Sequence, residues 1–295
     1  MTLKPHQTKP PMRHSFLPPQ SRRAGWKRFD EVADRAFTLI ELLVVIAIIA
    51  ILAAILLPTL SIAKNRAQMV VDLNNIHEIM LATYMYCNDN QDILPHPSDS
   101  DGLTGTWCFG TVPGFPYNPN NTPNLSNYTT YYPLQLASFR LSKPSLKPCQ
   151  LYPYLKNVKM LRCPADIPGP TFYRRAQFLT SYCWNGSVLY QNFNWGGPSH
   201  KLGRFAPSDI LLWEANEIYT NQACYFNDTV NYPSEGCSGR HGRGATIGRA
   251  GGVAERISMA EYNRMAGAPQ SAGRNDLWCS PDLANGGNPP GGVRP

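Results

Sequence analysis

From Phe37 to Leu57 the chain is apolar at every position except Thr38 and Glu41. At 1.5 Å per residue a helix of that length spans roughly 30 Å, about the hydrocarbon core of a bilayer. Pro58 closes the run, and a proline in a helix removes a backbone donor and crowds the preceding turn, so a kink is expected there. Beyond it, Leu60, Ala63, Ala67, Val70, Leu73, His77, Met80, Leu81 and Tyr84 recur every three or four residues, opposite Lys64, Asn65, Gln68, Asp72, Asn75 and Glu78. That spacing predicts an amphipathic helix over 59–87 with His77 on its buried face. The continuous helix from Phe37 would measure roughly 75 Å.

Residues 88–95 read as a helix exit and turn, with a calcium loop as the alternative that their acids suggest; they lack the EF-hand spacing and its closing Glu. Residues 96–130, dense in Gly, Pro, Asn, Thr and Tyr, read as a long irregular surface loop. Strands are expected at Phe178–Trp184, Ser187–Phe193 and Asp209–Ala215, the first two joined by a hairpin at Asn185-Gly186. Ala245–Ile247 and Val253–Ile257 suit a further pair around Gly248–Gly252. Ser258, with Glu261 three residues on, suits the start of a short helix. Residues 281–295 read as a loose tail. The fold class is therefore α+β: a long N-terminal helix packed on an antiparallel sheet within a loop-rich head spanning 88–280.

Charge is unevenly placed. The net charge is +7, but residues 1–36 hold eight basic side chains against three acidic ones, and the remainder is nearly balanced at nineteen against seventeen. The basic character belongs to the N-terminal segment, so nothing points to a nucleic-acid-binding surface on the head. Arg22, Arg23, Lys27, Arg28 and Arg35 precede the apolar run closely and only Lys64 and Arg66 follow it closely, which places the N-terminus in the cytoplasm and the head outside.

That placement puts all eight cysteines (Cys87, Cys108, Cys149, Cys163, Cys183, Cys224, Cys237 and Cys279) on the oxidising side. Disulfides are expected, with Cys149–Cys163 and Cys224–Cys237 as local candidates among many pairings. There is no C-x-x-C, G-x-S-x-G, H-E-x-x-H or phosphate-binding loop. His241 with Glu214, Glu217 or Asp209 offers an acid–base set, but spacing does not bring them together, and a surface or turn histidine is the simpler reading. No catalytic residue, metal ligand or cofactor is assigned, and an enzyme is not expected.

One acid inside a membrane-length helix is costly and needs a purpose. The string Ala36-Phe37-Thr38-Leu39-Ile40-Glu41-Leu42-Leu43 resembles the cleavage and methylation motif of type IV pilins and type II secretion pseudopilins. The resemblance implies that a prepilin peptidase removes residues 1–36 by cutting between Ala36 and Phe37, that Phe37 is then N-methylated, and that Glu41 is the assembly carboxylate. Ala36 stands where the family usually has Gly. Leu161–Asp166, Thr180–Asn185 and Pro207–Glu214 are similar to segments of the large pilin-like proteins of planctomycetes and verrucomicrobia. Those proteins often pair an Arg-His-Gly with a later Asp-Gly-His; here Arg240-His241-Gly242 is present, and Gly251-Gly252-Val253 replaces the second element, which reads as a backbone turn.

The implied role is a major or minor structural subunit of a type IV pilus-like or type II secretion filament. Its partners would be prepilin peptidase, other pilin or pseudopilin subunits, an inner-membrane assembly platform and the lipid bilayer. It would sit as a single-pass inner-membrane protein with a periplasmic head before joining a filament. Two alternatives remain open at this point: the anchor displays an adhesin or carbohydrate-binding head, or it tethers a hydrolase.

Overall fold

A computed structural model of the chain describes residues 37–97, 106–108, 125–140, 149–175, 177–189, 198–216 and 229–287. Two compact units emerge, Met1–Ala54 and Ile55–Pro295. Within the described part of the first unit every side chain is exposed except the half-buried Ala53.

Helix α1 runs Leu39–Asp89 and continues through Pro58. Its start is fixed by a reciprocal capping box. The Thr38 hydroxyl oxygen accepts from the Glu41 amide at 3.2 Å, and the Glu41 carboxylate accepts from the Thr38 amide at 2.9 Å. Pro58 has no N–H to offer, while the Thr59 hydroxyl donates to the Leu56 carbonyl at 2.9 Å. The helix ends where Gln91 and Asp92 take left-handed backbone angles, and the Asp92 amide turns back to the Cys87 carbonyl at 2.8 Å.

The buried row of α1 is Asp72, Asn75, Ile76, Ile79, Met80, Ala82, Thr83 and Cys87. This corrects the expected stripe. His77 is exposed, as are Val70 and Leu81, whereas Asp72 and Asn75, assigned to the solvent face, point inward. The inward row is continuous at helical spacing, with Asp72 one turn before Ile76 and Asn75 one turn before Ile79. The two polar residues occupy apolar-row positions because the sheet beneath them supplies partners.

That sheet has five strands: β1 (Tyr182–Asn185), β2 (Ile210–Glu214), β3 (Val230–Asn231), β4 (Gly244–Arg249) and β5 (Ala254–Ser258), in the order β3-β1-β2-β4-β5. Three pairings are antiparallel, but β1 and β3 run parallel, so the sheet is mixed rather than purely antiparallel. Every residue of β1 and β2 is buried, because both faces are covered. Tyr182, Trp184 and Leu212 pack with Ile76, Ile79 and Met80 of α1. The alternate residues Cys183 and Trp213 pack with Ile247 and with Tyr262 and Met265 of helix α3 (Met259–Ala266). Ser258 caps α3 as expected, its hydroxyl accepting from the Glu261 amide at 3.1 Å.

Other expectations change. Helix α2 (Leu125–Phe139) begins inside the stretch read as loop. Its Gln135 side-chain oxygen accepts from the Phe178 and Leu179 amides at 3.1 Å each, so these residues spend their backbone donors on α2 and β1 starts only at Tyr182. Asn185-Gly186 is not a hairpin turn. A two-residue turn of that type needs positive φ at both residues, and Asn185 sits at φ −68°, held extended because its side-chain Nδ2 donates to the Ile210 and Leu277 carbonyls. A short 3₁₀ turn, Gly186–Val188, follows. Part of the presumed tail is tied down: Asp282 pairs with Arg204 at 2.7 Å. Cys87, Cys149, Cys163, Cys237 and Cys279 are buried free thiols, so the Cys149–Cys163 bridge is absent, and Cys224 lies outside the described residues.

Helix α1 packs closely on β4 at Gly248, where an added Cβ would stand 3.0 Å from Ile76 Cγ2 and from Met80 Cγ. Gly248→Val should therefore destabilise the detergent-solubilised full chain by about 1–3 kcal/mol. Gly239→Ala, with nothing within 4 Å of its new methyl group, should leave it unchanged. Urea unfolding followed by tryptophan fluorescence reads both; equal midpoints would contradict the packing described.

Candidate functional site

Among the described residues two places carry chemistry, and each is built differently. The first is the start of α1. Ala36 lies outside the described residues, and Phe37 is exposed. Glu41, one turn on, has its carboxylate held by Thr38, whose hydroxyl donates at 2.9 Å alongside the amide bond described above. From Leu39 to Leu57 the large apolar side chains are about half or more exposed, on all sides of the helix. A helix with no polar face has no preferred side toward water, so it calls for an apolar surrounding all round. It is the one helix among the described residues long and apolar enough to cross a membrane.

The second place is a buried cluster on the α1 side of the sheet. Strand pairing sets Tyr182 opposite Glu214 on neighbouring strands. The Thr246 amide lies 3.5 Å from Glu214 Oε2 on the next strand. This row of Tyr182, Glu214 and Thr246 faces Asp72 of α1. Asp72 accepts from the Tyr182 hydroxyl through Oδ1 and from the Thr246 hydroxyl through Oδ2. His241 enters from the turn before β4, where Gly242 and Arg243 adopt left-handed angles. The Arg256 side chain clasps that turn by donating to the His241 and Gly242 carbonyls. Cys163 comes from the segment that follows a 3₁₀ turn at Val158–Leu161.

These elements bring Asp72, Cys163, Glu214 and His241 together, all buried, with one donor atom of each within 4.8 Å of the others. His241 Nε2 lies 3.3 Å from Cys163 Sγ, 3.3 Å from Asp72 Oδ2 and 3.5 Å from Glu214 Oε2. Burial and the neighbouring Asp72 charge push the Glu214 carboxyl up to about 7, against the pull of Arg240 and His241. Burial opposes charge on His241, but the Asp72 hydrogen bond and the two carboxylates outweigh it and raise its pKa. Burial followed by the same carboxylates pushes the Cys163 thiol up.

Of the acid–base set considered from sequence, His241 and Glu214 do meet. His241 is buried in its turn rather than on the surface. Asp209 lies elsewhere, paired with Arg274, and Glu217 falls outside the described residues. Asp72, Cys163 and Tyr182 were not legible as members. The available signal was a single acid, Asp72, one helical turn before Ile76 in the buried row.

Beside the cluster, Asp166 forms an ionic core of its own. Burial opposes its charge, but Arg175 at 2.8 Å, Arg240 at 3.6 Å and the Ser181 hydroxyl at 2.6 Å hold its pKa down to about 2. Arg175 also lies over the Phe172 ring, 4.0 Å from its centroid. A carboxylate held below its unfolded pKa stabilises the fold above that value, and the stabilisation fades as pH falls through the folded pKa. Asp166→Asn should cost about 2–3 kcal/mol at pH 7. The gap to the unsubstituted chain should close between about pH 4 and pH 2. Urea midpoints across that range decide it; a gap independent of pH would show that Asp166 acts through shape rather than charge.

Comparison with known proteins bears on the first place. Residues 33–57 match the family profile of the prokaryotic N-terminal methylation motif. The type IV wide pilus major component PilA4 of Thermus thermophilus is 50% identical over 56 residues, 19% of this chain. The match covers 43% of that pilin's length, so the chain spans less than half of the curated relative it resembles. No solved structure matches the chain. The chain thus joins a prokaryotic N-terminal methylation motif to an apolar N-terminal helix and an α+β head, and its likeness to a type IV pilin lies in 56 residues.

Proposed function

We propose that this type IV pilin-like chain is a structural subunit of a type IV pilus-like or type II secretion filament, made as a membrane-inserted precursor. Prepilin peptidase cuts between Ala36 and Phe37 and Phe37 is N-methylated. The head is a non-enzymatic building block that faces the periplasm until the subunit joins the filament through the inner-membrane assembly platform. The observation that carries the reading is the coincidence of the methylation motif at 33–57 with a helix that is apolar and exposed on every side.

The mechanism follows from solvation. In the precursor the lipid bilayer covers Leu39–Leu57; in the filament neighbouring subunits do. Transfer from one apolar surrounding to the other is nearly neutral for the hydrocarbon, so it supplies little specificity. Polar groups supply it. Cleavage frees an α-amino group at Phe37, and a buried Glu41 carboxylate without a cation is costly, whereas one paired with a neighbour's amine is compensated. Thr38 holds the carboxylate in place before the partner arrives. Glu41 thus selects subunit register.

The Glu41 side chain is exposed and bonds to Thr38, so Glu41→Ala should leave head stability within about 0.5 kcal/mol. It should also reduce sheared filament, seen by electron microscopy, to background. Glu41→Gln should do the same, because it keeps the shape and loses the charge. Filaments at normal yield from either variant would remove the assembly role.

A further inference from the structure

The buried tetrad of Asp72, Cys163, Glu214 and His241 is more than a set of ion pairs. We propose that it is a structural zinc site that clamps the second half of α1 to the sheet. The proposal stands on the head alone and does not depend on filament assembly.

The geometry is the main argument. One imidazole nitrogen, Nε2, has three polar neighbours at 3.3, 3.3 and 3.5 Å. A single N–H can be aimed at one of them; it cannot serve all three. A tetrahedral zinc shell, with metal–nitrogen and metal–oxygen distances of about 2.0–2.2 Å and metal–sulfur of about 2.3 Å, has donor–donor edges of roughly 3.3–3.6 Å. The three separations fall on or close to those edges, and the remaining donors lie within 4.8 Å of one another.

The outer partners are arranged as a metal site needs. Each carboxylate turns one oxygen toward Nε2 and has the other held from behind. Asp72 presents Oδ2 while Tyr182 holds Oδ1, and Glu214 presents Oε2 while Arg240 lies 3.4 Å from Oε1. The Ala165 amide donates to Cys163 Sγ at 3.3 Å, a bond that supports a thiolate. Such outer contacts fix ligand orientation. A thiolate with an imidazole disfavours the hard cations calcium and magnesium, and two carboxylates with a buried, closed shell suit zinc held by four protein ligands without an open position.

Electrostatics agrees. Two buried carboxylates that share one cluster repel each other when both are charged. A dication removes that cost: both carboxylates bind ionised, the Cys163 thiol releases its proton to solvent, and the neutral imidazole binds through Nε2. Three anionic ligands, one dication and the adjacent Arg240 guanidinium then sum to no net charge. The four ligands come from α1, the segment after the Val158–Leu161 turn, β2 and the turn before β4, so one ion would tie together four separate parts of the head. No C-x-x-C pattern announces it, because no two ligands are close in sequence.

The test uses the full chain purified in detergent without chelator. Elemental analysis should find about one zinc per chain. Removing it with a chelator should lower Tm, and added zinc should restore it. Cobalt substituted for zinc should give tetrahedral ligand-field bands and a thiolate-to-metal band, a readout that needs no variant. Cys163→Ser should abolish the thiolate band, and His241→Ala should drop the metal content. Tyr182→Phe, which keeps all four ligands, should weaken zinc binding about 10–100-fold. A chain free of transition metal whose Tm ignores both chelator and zinc would overturn the proposal. So would bound zinc that survives the Cys163 and His241 substitutions, or cobalt bound without a thiolate band.

Discussion

Helix α1 has to satisfy two unlike surroundings. Its residues up to Leu57 are apolar on every side, so no rotation of the helix hides them from water and only an apolar environment on all sides suffices. Its later turns carry a narrow inward row that mixes isoleucines with Asp72 and Asn75. The first half carries most of the methylation motif and the single acid near its start. The second half accounts for why the sheet presents hydroxyls, carboxylates and a histidine on the face that meets α1.

The join between α1 and the sheet combines close apolar packing with a buried polar patch. Gly248 lets Ile76 and Met80 approach the β4 backbone, while Tyr182 and Thr246 reach the Asp72 carboxylate one turn before Ile76. Dispersion and burial supply strength there, and the polar contacts fix register, because sliding α1 by one residue would leave Asp72 facing apolar side chains. The neighbouring Asp166–Arg175–Arg240 group extends that polar region, with Arg240 shared between Asp166 and Glu214.

Much of this was legible in the sequence where a pattern is local. The membrane-length run, the methylation motif, the Asp209–Ala215 strand, the β4–β5 pair and the Ser258 cap all follow from contiguous residues with strong periodicity or capping chemistry. The misses are non-local. Asn185-Gly186 fails as a hairpin because Asn185 answers to carbonyls at Ile210 and Leu277, and Phe178–Leu179 leaves the sheet because Gln135 takes its amides. His77 was placed inward by counting apolar spacing alone. The structure turns α1 so that Asp72 meets Tyr182 and Thr246, and this puts His77 in solvent. The tetrad was illegible for the same reason: its members lie on four segments that only the fold assembles. Cys149, Cys163 and Cys237 are buried against a carbonyl, a histidine and a thioether respectively, neighbours that no cysteine spacing in the sequence announces.

The filament reading rests on α1 being released from its basic leader at one bond. Intact mass and fragment sequencing of the chain from its native membranes measures that directly. The account predicts a mature N-terminus at Phe37 bearing one added methyl group on its α-amine. A mature chain that retains residues 1–36, or that begins after the apolar helix, would contradict it.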